Sequence, residues 1–285
     1  MLNRKDLARK ALAAALEIRK TKDNFLNPIC IYDLAEELNI GVWFADIPSL
    51  EGMYSNSPKP AIIIGAERPA GRRVYTCGHE LGHHVFGHGT RVDELRSDNS
   101  ESPRFEPEEF MAQSFAGFLL MPKLAVCNAF KVRGWNPAQS SPEQIYRISN
   151  LFGVTYTALI QHMAIMELMT RQQSEKLASI SLKDIRSAFI SDPKRQLVLV
   201  DNFWRARAID LDVGDLILIP TNAIGEGSCL TKVEQTDKGG IFEAVQPGRG
   251  RLSDSTADWA SFVRVSRQSY VGRSVYRHFE EVANE

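Results

Sequence analysis

His79-Glu80-Leu81-Gly82-His83 decides how the first half of this chain is read. It lies inside the longer run Val74-Tyr75-Thr76-Cys77-Gly78 before it and His84-Val85-Phe86-Gly87-His88-Gly89 after it. The pentad has the form HExxH. On a helix, positions i and i+4 lie on one face about a turn apart, so the imidazoles of His79 and His83 can reach a single metal ion. Glu80, one residue after the first histidine, can face a water at that ion and act as its general base. The chain has only six histidines, so chance is a poor account of two of them at this spacing around a glutamate. Thr76 is expected to cap the helix, and Gly87 or Gly89 to end it.

A catalytic zinc usually takes three protein ligands. The metzincin extension needs a glycine at 86 and a histidine at 89, and this chain has Phe86 and Gly89 instead. The remaining solution is an acid from a later helix. Glu106-Pro107-Glu108-Glu109-Phe110-Met111-Ala112-Gln113-Ser114-Phe115-Ala116 supplies one, with Pro107 suited to a first helical position and the acids to a first turn. Glu109 shares a face with Ala112, Gln113 and Ala116, small enough to let this helix approach the HExxH helix closely. Glu109 is therefore the expected third ligand. Glu108, one residue away in helix phase, is the alternative. His84 and His88 read as surface groups or as groups that orient a ligand or substrate. Upstream, Ala61-Ile62-Ile63-Ile64-Gly65 reads as a short buried strand followed by a polar turn, Glu67-Arg68-Pro69-Ala70-Gly71. A strand beside a metal helix can take an extended peptide by edge pairing.

These stretches together resemble the ImmA/IrrE family of metallopeptidases. Further landmarks carry the resemblance: the helix Pro28 to Asn39, the segment from Gly52 to Ile64, the ending Leu119-Leu120-Met121-Pro122 after the Glu109 helix, and Ile148 to Leu159 beyond it. It covers roughly residues 28 to 165. Cys77-Gly78 and Met111 depart from the family's more usual residues without touching the metal motif. The resemblance implies a zinc-dependent intracellular endopeptidase, with manganese as a second possible metal. The implied ligands are His79, His83 and Glu109, and the implied catalytic base is Glu80. It also implies cleavage of a regulatory protein, commonly a helix-turn-helix repressor, in a stress-response, mobile-element, phage or toxin–antitoxin setting. The implied fold is α+β: a mainly helical zincin-like domain with a small sheet and a gluzincin-like third ligand. A different class of function is a non-proteolytic metal-binding partner or toxin component that pairs with a repressor-like antitoxin. Glu80 speaks against it, because a purely structural metal has no use for a base.

Composition narrows the class further. With 44% hydrophobic and 24% charged residues, the chain is that of an ordinary globular protein. A formal net charge of −1 provides no bulk attraction to nucleic acid or to an anionic membrane. No apolar run reads as long enough to cross a bilayer, and the opening residues read as a charged amphipathic helix with Leu7, Ala11, Ala15 and Ile18 as its apolar stripe. Cys30, Cys77, Cys127 and Cys229 form no CxxC pair or disulfide framework, which fits a reducing cytoplasm. Cys77 reads as a buried packing residue.

Along the chain, residues 1–174 are expected to form the peptidase domain, 175–195 a helical linker and 196–285 a β-rich module. Residues 92–107 read as a mobile loop between the two ligand-bearing helices. A helix over 142–151 and another from Thr155 through about 174 give a helix-turn-helix-like pair at 142–170. Its second helix is too apolar to read DNA, so a packing role is expected and no direct nucleic-acid contact. Strands are expected at 196–200, 216–220, 229–235, 241–245 and 259–265, with a hairpin turn at 236–240 and a closing helix over 271–283.

Overall fold

The structure, a computed structural model, describes residues 3–21, 25–94, 105–205, 207–220, 222–256 and 258–279. Backbone contacts divide the chain into two compact units. The first is Met1–Leu124 with Ser269–Val275, the second Ala125–Gln268 with Tyr276–Glu285. The first cut falls after Leu124.

The first unit begins with helices α1 (Arg4–Thr21) and α2 (Ile31–Glu37). Strands β1 (Gly41–Ala45), β2 (Leu50–Ser55) and β3 (Ala61–Gly65) follow, then α3 (Ala70–Phe86), β4 (Arg91–Glu94) and α4 (Pro107–Leu120). Ile62 and Ile64 of β3 are fully buried. β3 pairs in parallel with β1 and antiparallel with β2, so it lies inside its sheet and has no edge to offer a peptide. An almost wholly apolar run suits an interior strand. The edge next to β2 belongs to β4, in a stretch read from sequence as loop. Residues 95–104 of that stretch lie outside the described residues.

Helix α3 starts at Ala70, with Pro69 at its N-cap, and not at Thr76. The last residues of the expected polar turn form its first turn. Thr76 is buried inside the helix, where its hydroxyl donates to Glu51 Oε1 at 3.3 Å. Gly87 ends it in the left-handed conformation at φ 66°, with its N–H on the His84 carbonyl and that of His88 on the His83 carbonyl. A glycine adopts that φ without steric cost.

The packing of α3 on α4 sets the geometry of everything between them. A Cβ built on Gly82 would lie 2.9 Å from the Ala112 Cα, and one on Gly78 would lie 3.3 Å from the Ala116 Cβ. Glycine on one helix and alanine on the other let the two backbones approach to a distance that larger side chains would prevent. Phe86 closes the far end of this seam edge-on against Phe115, with ring centroids 5.8 Å apart. On the other side of α4 packs α1, which buries Leu7, Ala11 and Ala15. The next stripe position is taken by Arg19 and not by Ile18. The Arg19 guanidinium is buried and donates to the Leu119 carbonyl at 2.6 and 2.8 Å, and to the Leu120 carbonyl at 3.2 Å. A helix leaves its last carbonyls without partners, and Arg19 supplies donors for two of them. Burial lowers its pKa to about 10, which leaves it charged at neutral pH. The stretch Pro107–Lys131 is long and apolar enough by composition to resemble a membrane span, contrary to the sequence reading. It is broken at Met121–Pro122, and Phe115, Ala116, Leu119 and Leu120 are core residues.

The second unit takes up α5 (Lys123–Lys131), which starts at the cut. It continues with α6 (Pro142–Phe152), α7 (Tyr156–Ile165), α8 (Arg171–Ala178) and α9 (Leu182–Ser187). Ser141 and Gln144 form a reciprocal capping box on α6. The helix expected to run to about 174 stops at Ile165. Glu167 takes a positive φ of 58°, and Thr170 with Gln173 forms a second capping box that starts α8. Helix α7 buries Tyr156, Leu159, Ile160, His162 and Met163.

Eight strands follow: β5 (Leu197–Leu199), β6 (Ile209–Asp212), β7 (Leu216–Ile219), β8 (Ile224–Glu226), β9 (Leu230–Thr236), β10 (Gly239–Ala244), β11 (Gly248–Asp254) and β12 (Trp259–Ser266). They form one sheet in the order β5-β7-β10-β9 and another in the order β6-β12-β11-β8. The helix expected over 271–283 does not form where the chain is described. Gly272–Arg273 is a strand, β13, which pairs with β1 in the first unit, and Ser274–Tyr276 is a short 3-10 turn. The pairing is tied by a side chain, with Arg273 Nη2 on Glu36 Oε2 at 2.6 Å. Residues 280–285 lie outside the described residues.

Asp210 on β6 anchors the second unit. Arg264 grips both its oxygens at 2.8 and 2.9 Å, with Arg207 at 3.3 Å, Arg277 at 3.5 Å and the His278 Nε2 at 3.7 Å. Burial costs the Asp210 carboxylate its hydration, but the arginines outweigh that and hold its pKa well below the usual range. His278 is pushed down to about 3, first by burial and then by Arg277.

Two expectations follow from this packing. Gly82→Leu forces α3 away from α4 and lowers unfolding stability by about 1–3 kcal/mol, measured by urea denaturation; an unchanged midpoint would show that the seam tolerates bulk. His278 takes a proton in the unfolded chain below about 6.5 and in the folded chain only near 3. Stability is therefore full above about pH 6.5 and falls as pH drops toward 3. In thermal melts, His278→Gln should flatten the dependence over that window.

Candidate metal centre

Three elements of the first unit bring four potential donors together. His79 and His83 come from α3, Asp93 from the edge strand β4 and Glu109 from the first turn of α4, and their ligand atoms all lie within 4.8 Å of one another. The Nε2 atoms of His79 and His83 are 3.1 Å apart. His79 Nε2 lies 3.1 Å from Asp93 Oδ2 and 3.2 Å from Glu109 Oε2, and His83 Nε2 lies 3.5 Å from Glu109 Oε1. Zinc bonds of about 2.0–2.1 Å to nitrogen and oxygen imply donor separations of about 3.4 Å in a tetrahedron. These residues fit a divalent cation in both chemistry and spacing.

Glu108 faces elsewhere and pairs with Arg91 of β4. The one-residue ambiguity of helix phase is decided by the packing of α4 on α3, which puts Glu109 against the two histidines. His88 is not one of the four donors. Its Nδ1 lies 3.0 Å from the Nδ1 of His83, where a hydrogen bond turns the Nε2 of His83 toward Glu109, as outer partners of metal-ligating histidines do. His84 points to Tyr54, with 2.8 Å between its Nδ1 and the phenol oxygen. The Tyr75 hydroxyl donates to the Gln113 carbonyl at 3.0 Å, and burial pushes its pKa up to about 12.

Glu80 is fully buried, and neither of its carboxylate oxygens has a hydrogen-bond partner among the described residues. Space for it comes from β2: a Cβ on Gly52 would fall 2.5 Å from Glu80 Oε1 and 2.4 Å from the Thr76 methyl. A buried carboxylate without a partner is costly, and burial pushes its pKa up to about 8. His79 opposes that rise, while Asp93 and Glu109 add to it. Burial works against a proton on His79, but the bonds to Asp93 and Glu109 outweigh it and raise its pKa to about 9. Glu109 is held well below the ordinary carboxylate range, chiefly by its bonds to His79 and His83. Among the described residues, no lysine or arginine lies within ion-pair distance of Glu80, Asp93 or Glu109. Three carboxylates around two imidazoles thus make a strongly cation-attracting spot.

Residues 35–163 match the Peptidase M78 family model, the IrrE N-terminal-like domain. This segment is an ImmA/IrrE-family metallopeptidase domain. It holds His79, Glu80, His83, Asp93 and Glu109 and covers a little under half of the chain. No curated protein matches the chain at a significant level. The sequence reading of the IrrE-like domain missed Asp93, because a lone acid in a polar stretch looks like loop. The apolar Val92 between the charged Arg91 and Asp93 was a weak period-two signal.

The donor geometry separates the two neighbouring acids. Glu109→Ala should weaken zinc affinity by about 100-fold or more, since loss of an outer partner alone costs about 10–100-fold. Glu108→Ala should leave it within about twofold. Competition with a chromophoric chelator measures both, and equal losses would reverse the assignment.

Proposed function

We propose that this protein is a zinc-dependent endopeptidase of the cytoplasm that cleaves a regulatory protein, a helix-turn-helix repressor, through a metal held by His79, His83 and Glu109. The observation that carries the reading is Glu80, a buried carboxylate with no partner placed against the donor set. Structure alone gives no reason to bury such a group, whereas proton transfer does. A pKa near neutrality suits a group that must both take and release a proton.

When bound, the cation polarises a water and the scissile carbonyl. Glu80 takes the proton from the attacking water and passes it to the departing amine. Gly52 leaves the carboxylate room to make that exchange, and the buried setting keeps bulk water from competing for the proton. His88 keeps the His83 ring from rotating. Among the described residues β4 has β2 as its one partner, so its other edge can pair with an extended segment of the substrate. Repressor cleavage rests on the family resemblance, which also places such enzymes in stress-response or mobile-element circuits.

The test sets wild type beside Glu80→Gln, with elemental analysis of both and incubation with the repressor encoded next to this gene. Both should carry about one metal per chain, and cleavage should fall by at least about 100-fold in the variant. Cleavage at the wild-type rate by Glu80→Gln removes the proposed base. Metal in both proteins with tight binding but no cleavage favours the partner or antitoxin-binding reading instead.

A further inference from the structure

We infer that Asp93 is a fourth protein donor to the metal, so that in the conformation described here the site is closed by four side chains, one of them on a sheet edge. The inference rests on the metallopeptidase reading above and extends it. Three protein ligands suffice for a catalytic zinc, which keeps its fourth position open. Asp93 puts a carboxylate oxygen 3.1 Å from His79 Nε2, as close as His83 Nε2 and slightly closer than Glu109 Oε2 at 3.2 Å. All four ligand atoms fit within 4.8 Å. Two histidines with two carboxylates make a complete tetrahedral set for zinc.

The backbone shows why Asp93 points there. Asp93 pairs with Gly52, the residue whose missing side chain makes room for Glu80. The β2–β4 register shifts between Leu50 and Gly52, a bulge at the start of the pair. Bulges re-aim side chains next to active sites. Neighbouring Arg91, on the same face of β4, is held by Glu108, which ties the strand to the first turn of α4 where Glu109 sits. The charge balance agrees. Asp93 and Glu109 crowd the same imidazole with no lysine or arginine within ion-pair distance among the described residues. Two carboxylates so placed favour positive charge between them, which a divalent cation at the histidines would supply. Glu80, buried and unpartnered, stands beside the set, so a base is present while the fourth position is filled by protein. Because β4 is an edge strand, a substrate segment that pairs with it acts on the element that carries the closing ligand.

The experiment uses the full chain loaded with cobalt or with zinc. The visible spectrum of the cobalt protein reports its ligand set, and azide, a small exogenous anion, perturbs that spectrum only where a coordination position can be yielded. The wild-type cobalt spectrum should not respond to millimolar azide. Asp93→Ala and Asp93→Asn should show altered band positions, respond to azide and bind zinc about tenfold or more weakly, with circular dichroism confirming that they fold. The asparagine variant keeps the size of the side chain, so it separates loss of the ligand from loss of packing. Azide sensitivity in wild type equal to that of both variants, with zinc affinity within about twofold, overturns the inference. His83→Ala is the control on the underlying reading: wild-type zinc affinity in that variant would refute the metal site itself, whereas loss of zinc there with no effect at Asp93 refutes only the fourth ligand.

Discussion

The close approach of α3 to α4 is the constraint on which the metal centre depends. Gly78 and Gly82 face Ala116 and Ala112, and no larger pair would let the helices come as near. With the two backbones in near contact, a glutamate in the first turn of α4 meets two imidazoles one turn apart on α3. A separation greater by the width of a methyl group or two would leave Glu109 a solvated acid at a helix start. The anchoring of α4 on its other side serves the same end. Arg19 of α1 ties down the last carbonyls of α4, so the helix that carries Glu109 is fixed at the end opposite that residue.

The electrostatics of the site follow from what surrounds that seam. Glu80 is dry because β2 covers it, and it fits because residue 52 has no side chain. Asp93 and Glu109 flank His79, and together the three acids raise the affinity of the spot for positive charge. In the same place burial, with Asp93 and Glu109, raises the Glu80 pKa to about 8, so its proton is held more firmly than on an ordinary carboxylate. A single arrangement thus both attracts positive charge and shifts the titration of the Glu80 carboxylate beside it. The two properties have one physical cause: carboxylates crowded in a region of low polarisability.

The second unit is organised by a different device. Asp210 collects Arg207, Arg264 and Arg277, with His278 alongside, and so ties β6 to β12 and to the turn after the last strand. The chain between them, β13, belongs to the first unit and extends its sheet beside β1. A short piece near the C-terminus thus extends the sheet of the first unit.

What the sequence alone determined was local. The HExxH spacing puts two imidazoles on one face of a helix because helix periodicity is a property of the backbone, and the Ile62–Ile64 run identifies a buried strand because the core accepts it, though not that both its edges are paired. Caps at Ser141 and Thr155, and the stop at Gly87, are likewise written in short-range hydrogen bonding. Helix α3 starts at Ala70 and not at the expected Thr76 cap because Pro69 can open a helix as readily as it can end a turn. Helix α7 ends at Ile165, short of the expected 174, because the capping box at Thr170 starts a new helix where the apolar periodicity continues. Sequence does not choose between Glu109 and Glu108, since the choice depends on how two helices pack. Asp93 was invisible, because strand register and a bulge are set by partners far along the chain. The closing helix expected over 271–283 gave way to β13, whose residues gain backbone partners from β1 that no local pattern announces. Tertiary structure decided which acids meet the histidines, because that meeting is made by packing between elements and not within any one of them.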